Sequence, residues 1–363
     1  MRKHMYIFLC FLLTVGCGMQ SQLDDLTLVL TIGLDEKDGK IIVYSVSPVF
    51  NKEAKNIYEV IRTSGVTLRD NRFKANAFAS GKIVGGKTQN VVVSKRIAKN
   101  HDMFSYLDVL YRDPKNSTTA NFIVFDGPLK NLMYIRLDDK PRLSVAIRDV
   151  LLTAHKGKQT TKMDLLQFRR LSIDRAQTPF APMMKVYKGD LVAGGIALFN
   201  EQRKYVGALF QKESPYFAIL QKQIKPSTSL TLPIKKQNKQ TEFVSISIEH
   251  GHFSYKPSFQ HGMFRFDVRI KLRAVLTEAT AYIDMKKDKQ KIEQLLAKEI
   301  QKQLESIVRK MQKYEVDPIG FGLYARAYEY KTFKKQKSWA KAFAKADINI
   351  RPTVEIINYG VLQ

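Results

Sequence analysis

Two long stretches in the second half of the sequence alternate apolar with polar residues. They are VSISIEHGHFSY, residues 244–255, and MFRFDVRIKLRAVLTEA, residues 263–279. A period of two is typical of strands with one face buried and one face in water. A sheet with one apolar face needs a partner layer to cover it, so this feature limits the folds open to the chain.

A long helix is predicted directly after these strands, from Lys287 to Tyr314. Its apolar residues recur at intervals of three and four, while Lys and Glu occupy most other positions. One stripe of such a helix packs inward and the rest faces water. We expect this helix, at about 287–314, to lie against the sheet rather than to bind a partner.

The first half of the chain also mixes strand and helix patterns. LTLVLTIGLD and IIVYSVSPVF flank EKDGK and predict a hairpin, whereas Tyr58 to Ser80 predicts a helix interrupted near SGVTLRD. LVAGGIALF and KYVGALF predict a second hairpin. The fold class predicted is α+β: multi-domain, with mixed and antiparallel sheets and packed helices.

The N-terminus predicts an export signal that ends at a cysteine. MRKH provides basic charge, and the apolar run from Met5 to Val15 is shorter than the roughly 20 residues that span a bilayer as a helix. Only Cys10 and Cys17 are present, and Cys10 lies inside this run. We predict a lipoprotein signal peptide over 1–16 and lipidation at Cys17, the diacylglyceryl group anchoring the chain to the bilayer. The alternative is a passive cysteine beside an ordinary cleavage site.

The remaining chain is predicted to form two units. An N-terminal domain over 17–188, with room for two lobes, precedes a C-terminal domain over 189–363. The boundary rests on the extended, proline-containing segment between Gln177 and Lys188.

The octet GKIVGGKT, from Gly81 to Thr88, matches the spelling of a phosphate-binding loop. That motif requires a strand before the loop and a helix after it, so that the helix N-terminus faces the anion. Here valines typical of a strand follow the octet, and FIVFD, ending at Asp126, leads into Gly-Pro as any strand entering a turn does. A flexible turn is therefore expected, with nucleotide binding by Lys87, Thr88 and Asp126 kept as the alternative function.

The histidines are the remaining candidates for a functional site. His250 and His252 would share a strand face, but a metal would need a third ligand such as His261 or Glu249. We predict no metal, no cofactor and no catalytic residue, and therefore no enzyme activity.

The formal net charge of +26 favours anionic partners such as nucleic acid, lipid or cell-wall polymers. Basic and aromatic residues interleave from Tyr328 to Phe343, yet export argues against nucleic acid. A wall-binding exported protein stays open as a third possibility.

Several stretches together resemble the Ger(x)C family of spore germination lipoproteins, the C subunits of nutrient germinant receptors. They are LDDLTLVLTIGLDEKDGKIIVYSVSPVF, VVVSKRIAKNHDMFSYLDVLYRDP, GIALFNEQRKYVGALF, and the long helix followed by DPIGFG and the region of Trp339. The octet GKIVGGKT lies in the part least similar to the family.

This resemblance implies a multi-domain α+β fold without catalytic residues. It also implies a lipoprotein on the outer face of the spore inner membrane, required for germination and acting beside membrane-embedded A and B subunits of the receptor.

Overall fold

The computed structural model describes residues 26–50, 54, 56–137, 139–224, 228–237, 240–280 and 283–359. These residues form three β-sheets with helices packed against them. The predicted α+β class, with mixed and antiparallel sheets, is confirmed. The segment 1–16 and Cys17 lie outside the described residues.

The largest sheet has eight strands in the order β10-β9-β8-β7-β6-β2-β3-β4. Its four central strands β8, β7, β6 and β2 run parallel, and antiparallel pairs complete both edges. The strands are β2 Thr31–Lys37, β3 Lys40–Pro48, β4 Tyr58–Gly65, β6 Asn90–Ser94, β7 Asn121–Phe125, β8 Phe180–Tyr187, β9 Asp190–Phe199 and β10 Tyr205–Leu209.

Helices cover both faces of this sheet. Every residue of β6 and β7 is buried, which explains their unbroken apolar runs. Val91 and Val93 face one hydrophobic core, whereas Val92 faces a second. The helices of this part are α1 Leu68–Ala75, α2 Lys95–Asn100, α3 Met103–Tyr106, α4 Asp108–Arg112, α5 Leu129–Met133, α6 Leu143–Lys156, α7 Leu165–Ile173 and α8 Ser214–Leu220.

A two-stranded parallel sheet lies beside α1. Its strands are β1 Leu26–Leu28 and β5 Lys82–Val84. Val29, Ile61, Ala75 and Ile83 form a small apolar cluster beneath it.

The third sheet has the order β11-β12-β13-β14, antiparallel except for the parallel pair β13 and β14. Its strands are β11 Thr228–Gln237, β12 Gln240–Gln260, β13 Met263–Ala279 and β14 Asp347–Asn358. The helices of this part are α9 Met285–Lys313, α10 Phe321–Tyr328, α11 Tyr330–Lys334 and α12 Trp339–Ala344.

The apolar stripe of α9 is buried against this sheet, as predicted for the long helix. Ile292, Leu296, Ile300 and Leu304 belong to the same core as Phe266 and Ile350 of the sheet. Within the described ranges, no helix combines the length and apolarity that crossing a bilayer requires.

One sequence prediction needs correction. The pattern from Tyr58 to Ser80 predicts a helix interrupted near residues 64–70. Residues 58–65 instead form β4, because Ile61, Thr63 and Gly65 are buried at alternate positions while the strand pairs with β3. The helix of this stretch, α1, begins at Leu68, inside the predicted interruption. Helix α7 buries Leu165, Phe168 and Leu171 although the sequence around it, residues 155–175, is largely polar.

The predicted boundary at 188 falls in a turn between paired strands. Lys188 lies between β8 and β9, so the eight-stranded sheet takes β9 and β10 from beyond it. The division into two independently folding units stays a prediction.

Candidate functional site

The octet Gly81–Thr88 forms a strand and a turn that lead into another strand. Residues 82–84 are β5, and β6 begins at Asn90, so no helix follows the loop. The Thr88 hydroxyl is buried within donating distance of two backbone carbonyl oxygens, that of Gly85 at 2.8 Å and that of Val29 at 3.0 Å. It therefore holds the turn closed rather than facing a ligand.

The three residues proposed for nucleotide binding do not come together. β6 and β7 are parallel and in register, Thr88 precedes β6, and Asp126 follows β7. Thr88 and Asp126 therefore lie at opposite ends of a pair of five-residue strands. The length of such a strand is roughly 16 Å, because an extended chain rises about 3.3 Å per residue. Asp126 pairs instead with Lys95, at 3.0 Å. The alternative of a nucleotide-binding loop is not supported.

The histidines considered for a metal are spread along the β12–β13 hairpin. His250 and His252 are exposed on β12, and His261 lies in the turn at the far end with a φ of 51°. About nine residues of extended chain, about 30 Å, separate His252 from that turn. No group of three metal-ligating side chains occurs in the part of the chain that the structure describes.

A large open groove crosses strands β8 to β10 and is bounded by α2 and the C-terminal end of α9. Its volume is about 1130 Å³, and its floor includes Gly194, Gly195 and Gly207. A side chain at Gly207 would collide with the ring of Tyr314, which packs directly on that strand. We call this feature the β10 groove.

The β10 groove is lined by six lysines and by only two carboxylates. The carboxylates are Asp126 and Glu213. The lysines are Lys95, Lys99, Lys185, Lys204, Lys212 and Lys310.

Both carboxylates of the β10 groove are neutralised. Lys310 Nζ lies 2.7 Å from Glu213 Oε2, and the same ammonium sits 4.4 Å from the ring centroid of the exposed Phe210. The hydrogen bond to Asp126 raises the pKa of the Lys95 ammonium. Lys99, Lys204 and Lys212 form no ion pair with any described residue, so the groove carries net positive charge suited to an acidic partner segment.

A second polar cluster surrounds Asp317, in the segment DPIGFG between α9 and α10. Asp317 is fully buried, and burial raises its pKa to about 6. Its Oδ1 accepts a hydrogen bond from the Gly320 amide at 2.8 Å. Its Oδ2 accepts from the Gly322 amide at 2.9 Å and from Trp339 Nε1 at 2.8 Å.

The Asp317 cluster joins distant parts of the fold. The Asp317 carbonyl accepts from the Thr178 amide at 3.0 Å, which ties the cluster to the loop before β8. A Cβ at Gly322 would collide with the Ala176 carbonyl and the Trp339 indole, so only glycine fits there. Nearby, Arg326 Nη1 lies 2.8 Å from Asp174 Oδ1.

Sequence reasoning did not identify Asp317 as a site residue. The segment DPIGFG predicted a helix end and a family likeness, and neither signal says that the carboxylate is buried. An aspartate three and five residues before glycines was the available signal, because such glycine amides can converge on one carboxylate.

Comparisons with known proteins point to one family. The model of the spore germination protein N-terminal domain matches residues 20–186, and the model of the spore germination B3/GerAC-like C-terminal domain matches residues 194–360.

Two curated relatives are similar along the whole chain. The putative spore germination protein YfkR of Bacillus subtilis (strain 168) is 22% identical, with 100% of this chain and 98% of the relative covered. Spore germination protein GerQC of Bacillus cereus is 20% identical, with both chains covered completely.

The crystal structure of the GerBC protein superposes with a TM-score of 0.58 at 14% identity. The superposition covers 90% of this chain and 97% of the solved one. At that identity the likeness shows a shared fold.

Proposed function

The chain belongs to the Ger(x)C family of spore germination proteins, and on that premise we propose that it is a membrane-anchored, non-enzymatic lipoprotein subunit of a nutrient germinant receptor. Family membership places it in germination. The proposal adds the anchor, the location on the outer face of the spore inner membrane, and contacts with the membrane-embedded A and B subunits.

Cys17 is the residue that carries the anchor in this proposal. It directly follows the apolar run and Gly16 at the end of the predicted signal peptide. Two acyl chains hold a protein stably to a bilayer, whereas one holds only marginally, so a diacylglyceryl group would suffice without a membrane-spanning helix.

A binding role suits the chemistry of the β10 groove better than proton transfer. Its two carboxylates are engaged by Lys95 and Lys310, while Lys99, Lys204 and Lys212 form no ion pair with any described residue and can meet an acidic surface. We assign this groove as a contact surface for the A or B subunit.

The anchor is tested by Cys17→Ala in spores, with Cys10→Ala as the matched control. We expect Cys17→Ala to move the protein from the membrane to the soluble fraction and to impair germination, while Cys10→Ala leaves both unchanged. Mass spectrometry of the processed N-terminus should find a diacylated Cys17. Full membrane retention and germination by the Cys17→Ala variant would refute the anchor.

A further inference from the structure

Exposed apolar side chains concentrate around helix α1. In the described ranges, five large apolar side chains are at least 70% exposed, and three of them fall between residues 66 and 78. They are Val66 at 73%, Phe73 at 79% and Phe78 at 70%. Single exposed apolar residues are ordinary, but such a concentration in one short segment is typical of a contact surface.

The same segment is basic. Residues 62–87 contain six Lys or Arg and one acidic residue, Asp70, which pairs with Lys74 at 2.9 Å. Arg69, Lys82 and Lys87 are exposed and form no ion pair with any described residue. Phenylalanine beside lysine and arginine is the composition of segments that lie in the interface of an anionic membrane.

These residues belong to one compact substructure. Lys74 Nζ lies 2.9 Å from the Ser64 carbonyl oxygen, which ties α1 to β4. Arg72 Nη2 lies 3.3 Å from the Ile83 carbonyl oxygen, which ties α1 to β5. We call this surface the α1 patch and define it by Val66, Arg69, Phe73, Phe78, Lys82 and Lys87.

The described fold begins beside the α1 patch. β1 starts at Leu26 and pairs with β5, and the Gly81 amide donates to Thr27 Oγ1 at 3.2 Å. Cys17 precedes Leu26 by nine residues, a length of chain that reaches at most about 30 Å. A lipid group on Cys17 would therefore keep this end of the molecule near the bilayer.

We propose that the α1 patch rests on an anionic lipid bilayer, with Phe73 and Phe78 in the boundary between headgroups and acyl chains and the basic side chains on the headgroup phosphates. The patch fixes the orientation of the tethered protein and so adds to the proposed function. Its lipid affinity comes from its own side chains and does not require acylation.

The test uses a chain that begins at residue 18, which retains every described residue and hence every contact of the core. Its binding is measured by co-sedimentation with vesicles of equal parts phosphatidylglycerol and phosphatidylcholine. We expect the double variant Phe73→Ala, Phe78→Ala to lower the partition coefficient about tenfold, because two interfacial phenyl rings are lost. Binding should also weaken with added salt and be at least tenfold lower on pure phosphatidylcholine.

The double variant Ile173→Ala, Tyr328→Ala is the matched control, since these side chains are 66% and 72% exposed on other elements. It should bind within twofold of the parent. Equal losses in both double variants, or no loss in either, would overturn the proposal, as would equal binding to neutral vesicles.

Failure of the α1 patch is distinguishable from failure of the anchor. The vesicle assay uses no acyl group, whereas Cys17→Ala in spores tests acylation alone. If the Phe73, Phe78 variant bound vesicles normally but no longer co-purified with the A and B subunits, the patch would be a protein interface and the lipid assignment would be wrong.

Discussion

Asp317 is a buried carboxylate whose hydrogen-bond donors only partly offset the effect of burial on its pKa. Gly320, Gly322 and Trp339 donate to its two oxygens, and the Phe321 amide also lowers its pKa. Each such bond favours the ionised form, whereas burial favours the neutral form. The pKa is raised to about 6, which shows that burial has the larger effect. Burial therefore makes ionised Asp317 less stable in the folded protein than in water.

The pH dependence of stability follows from this shift. Unfolded Asp has a pKa of about 3.9, so the folded protein loses up to about 3 kcal/mol of unfolding free energy as the pH rises from about 4 through about 6. Asp317→Asn cannot ionise and lacks this loss. We expect the stability advantage of the wild type over the variant, measured by urea denaturation, to be largest near pH 4 and to shrink by about 2–3 kcal/mol by pH 7.

Asp190→Asn, a substitution at the exposed first residue of β9, controls for loss of a surface carboxylate. A wild-type advantage over Asp317→Asn that is the same at every pH would contradict the burial argument. The Gly320 and Gly322 donors lie close to Asp317 in the sequence, whereas Trp339 lies 22 positions away and no local pattern brings it to the carboxylate.

Helices and strands whose apolar pattern repeats over many residues were predictable from the sequence, whereas short segments of mixed composition were not. β13 repeats its alternation over 17 residues and α9 repeats its stripe over 29, so the signal accumulates along each element. β4 has only eight residues, and its buried positions are Ile61, Thr63 and Gly65, of which only Ile61 is strongly apolar. Pairing with β3, which local sequence does not encode, decides its conformation.

The apolar stripe of α9 contributes to the stability of the fold through its buried leucines and isoleucines. Leu304 is fully buried in the main core, and its truncation to alanine leaves a cavity that neighbouring side chains fill only in part. We expect Leu304→Ala to lower the unfolding free energy by about 2–5 kcal/mol. Lys302→Ala, on the exposed face two residues away, should change it by less than about 0.5 kcal/mol, and chemical denaturation measures both. Similar losses in the two variants would show that α9 is not packed through this stripe.

The β10 groove is formed by residues that lie far apart in the sequence. Its lysines come from α2, β8, the segment around β10 and α9, positions between 95 and 310 in the sequence. The net charge of +26 indicated an anionic partner but could not say where it would bind. The groove appears because one continuous core joins the eight-stranded sheet to α9, and that packing was not predictable from local patterns.

The positive charge of the β10 groove can be tested by reversing it. Replacing Lys99, Lys204 and Lys212 by Glu reverses charges that no described carboxylate neutralises, so an acidic partner segment would be repelled. We expect at least about tenfold less A and B subunit to co-purify with this variant from spore membranes. The yield with the wild type should itself fall as salt rises, because salt at about 0.1–0.15 M already screens charges more than about 8–10 Å apart. Replacing Lys331, Lys334 and Lys335 by Glu makes the same charge change on exposed α11 and its C-terminal end, and should leave the yield unchanged. If that control lost the partners equally, overall charge would govern the association; if neither variant lost them, the contact surface would lie elsewhere on the molecule.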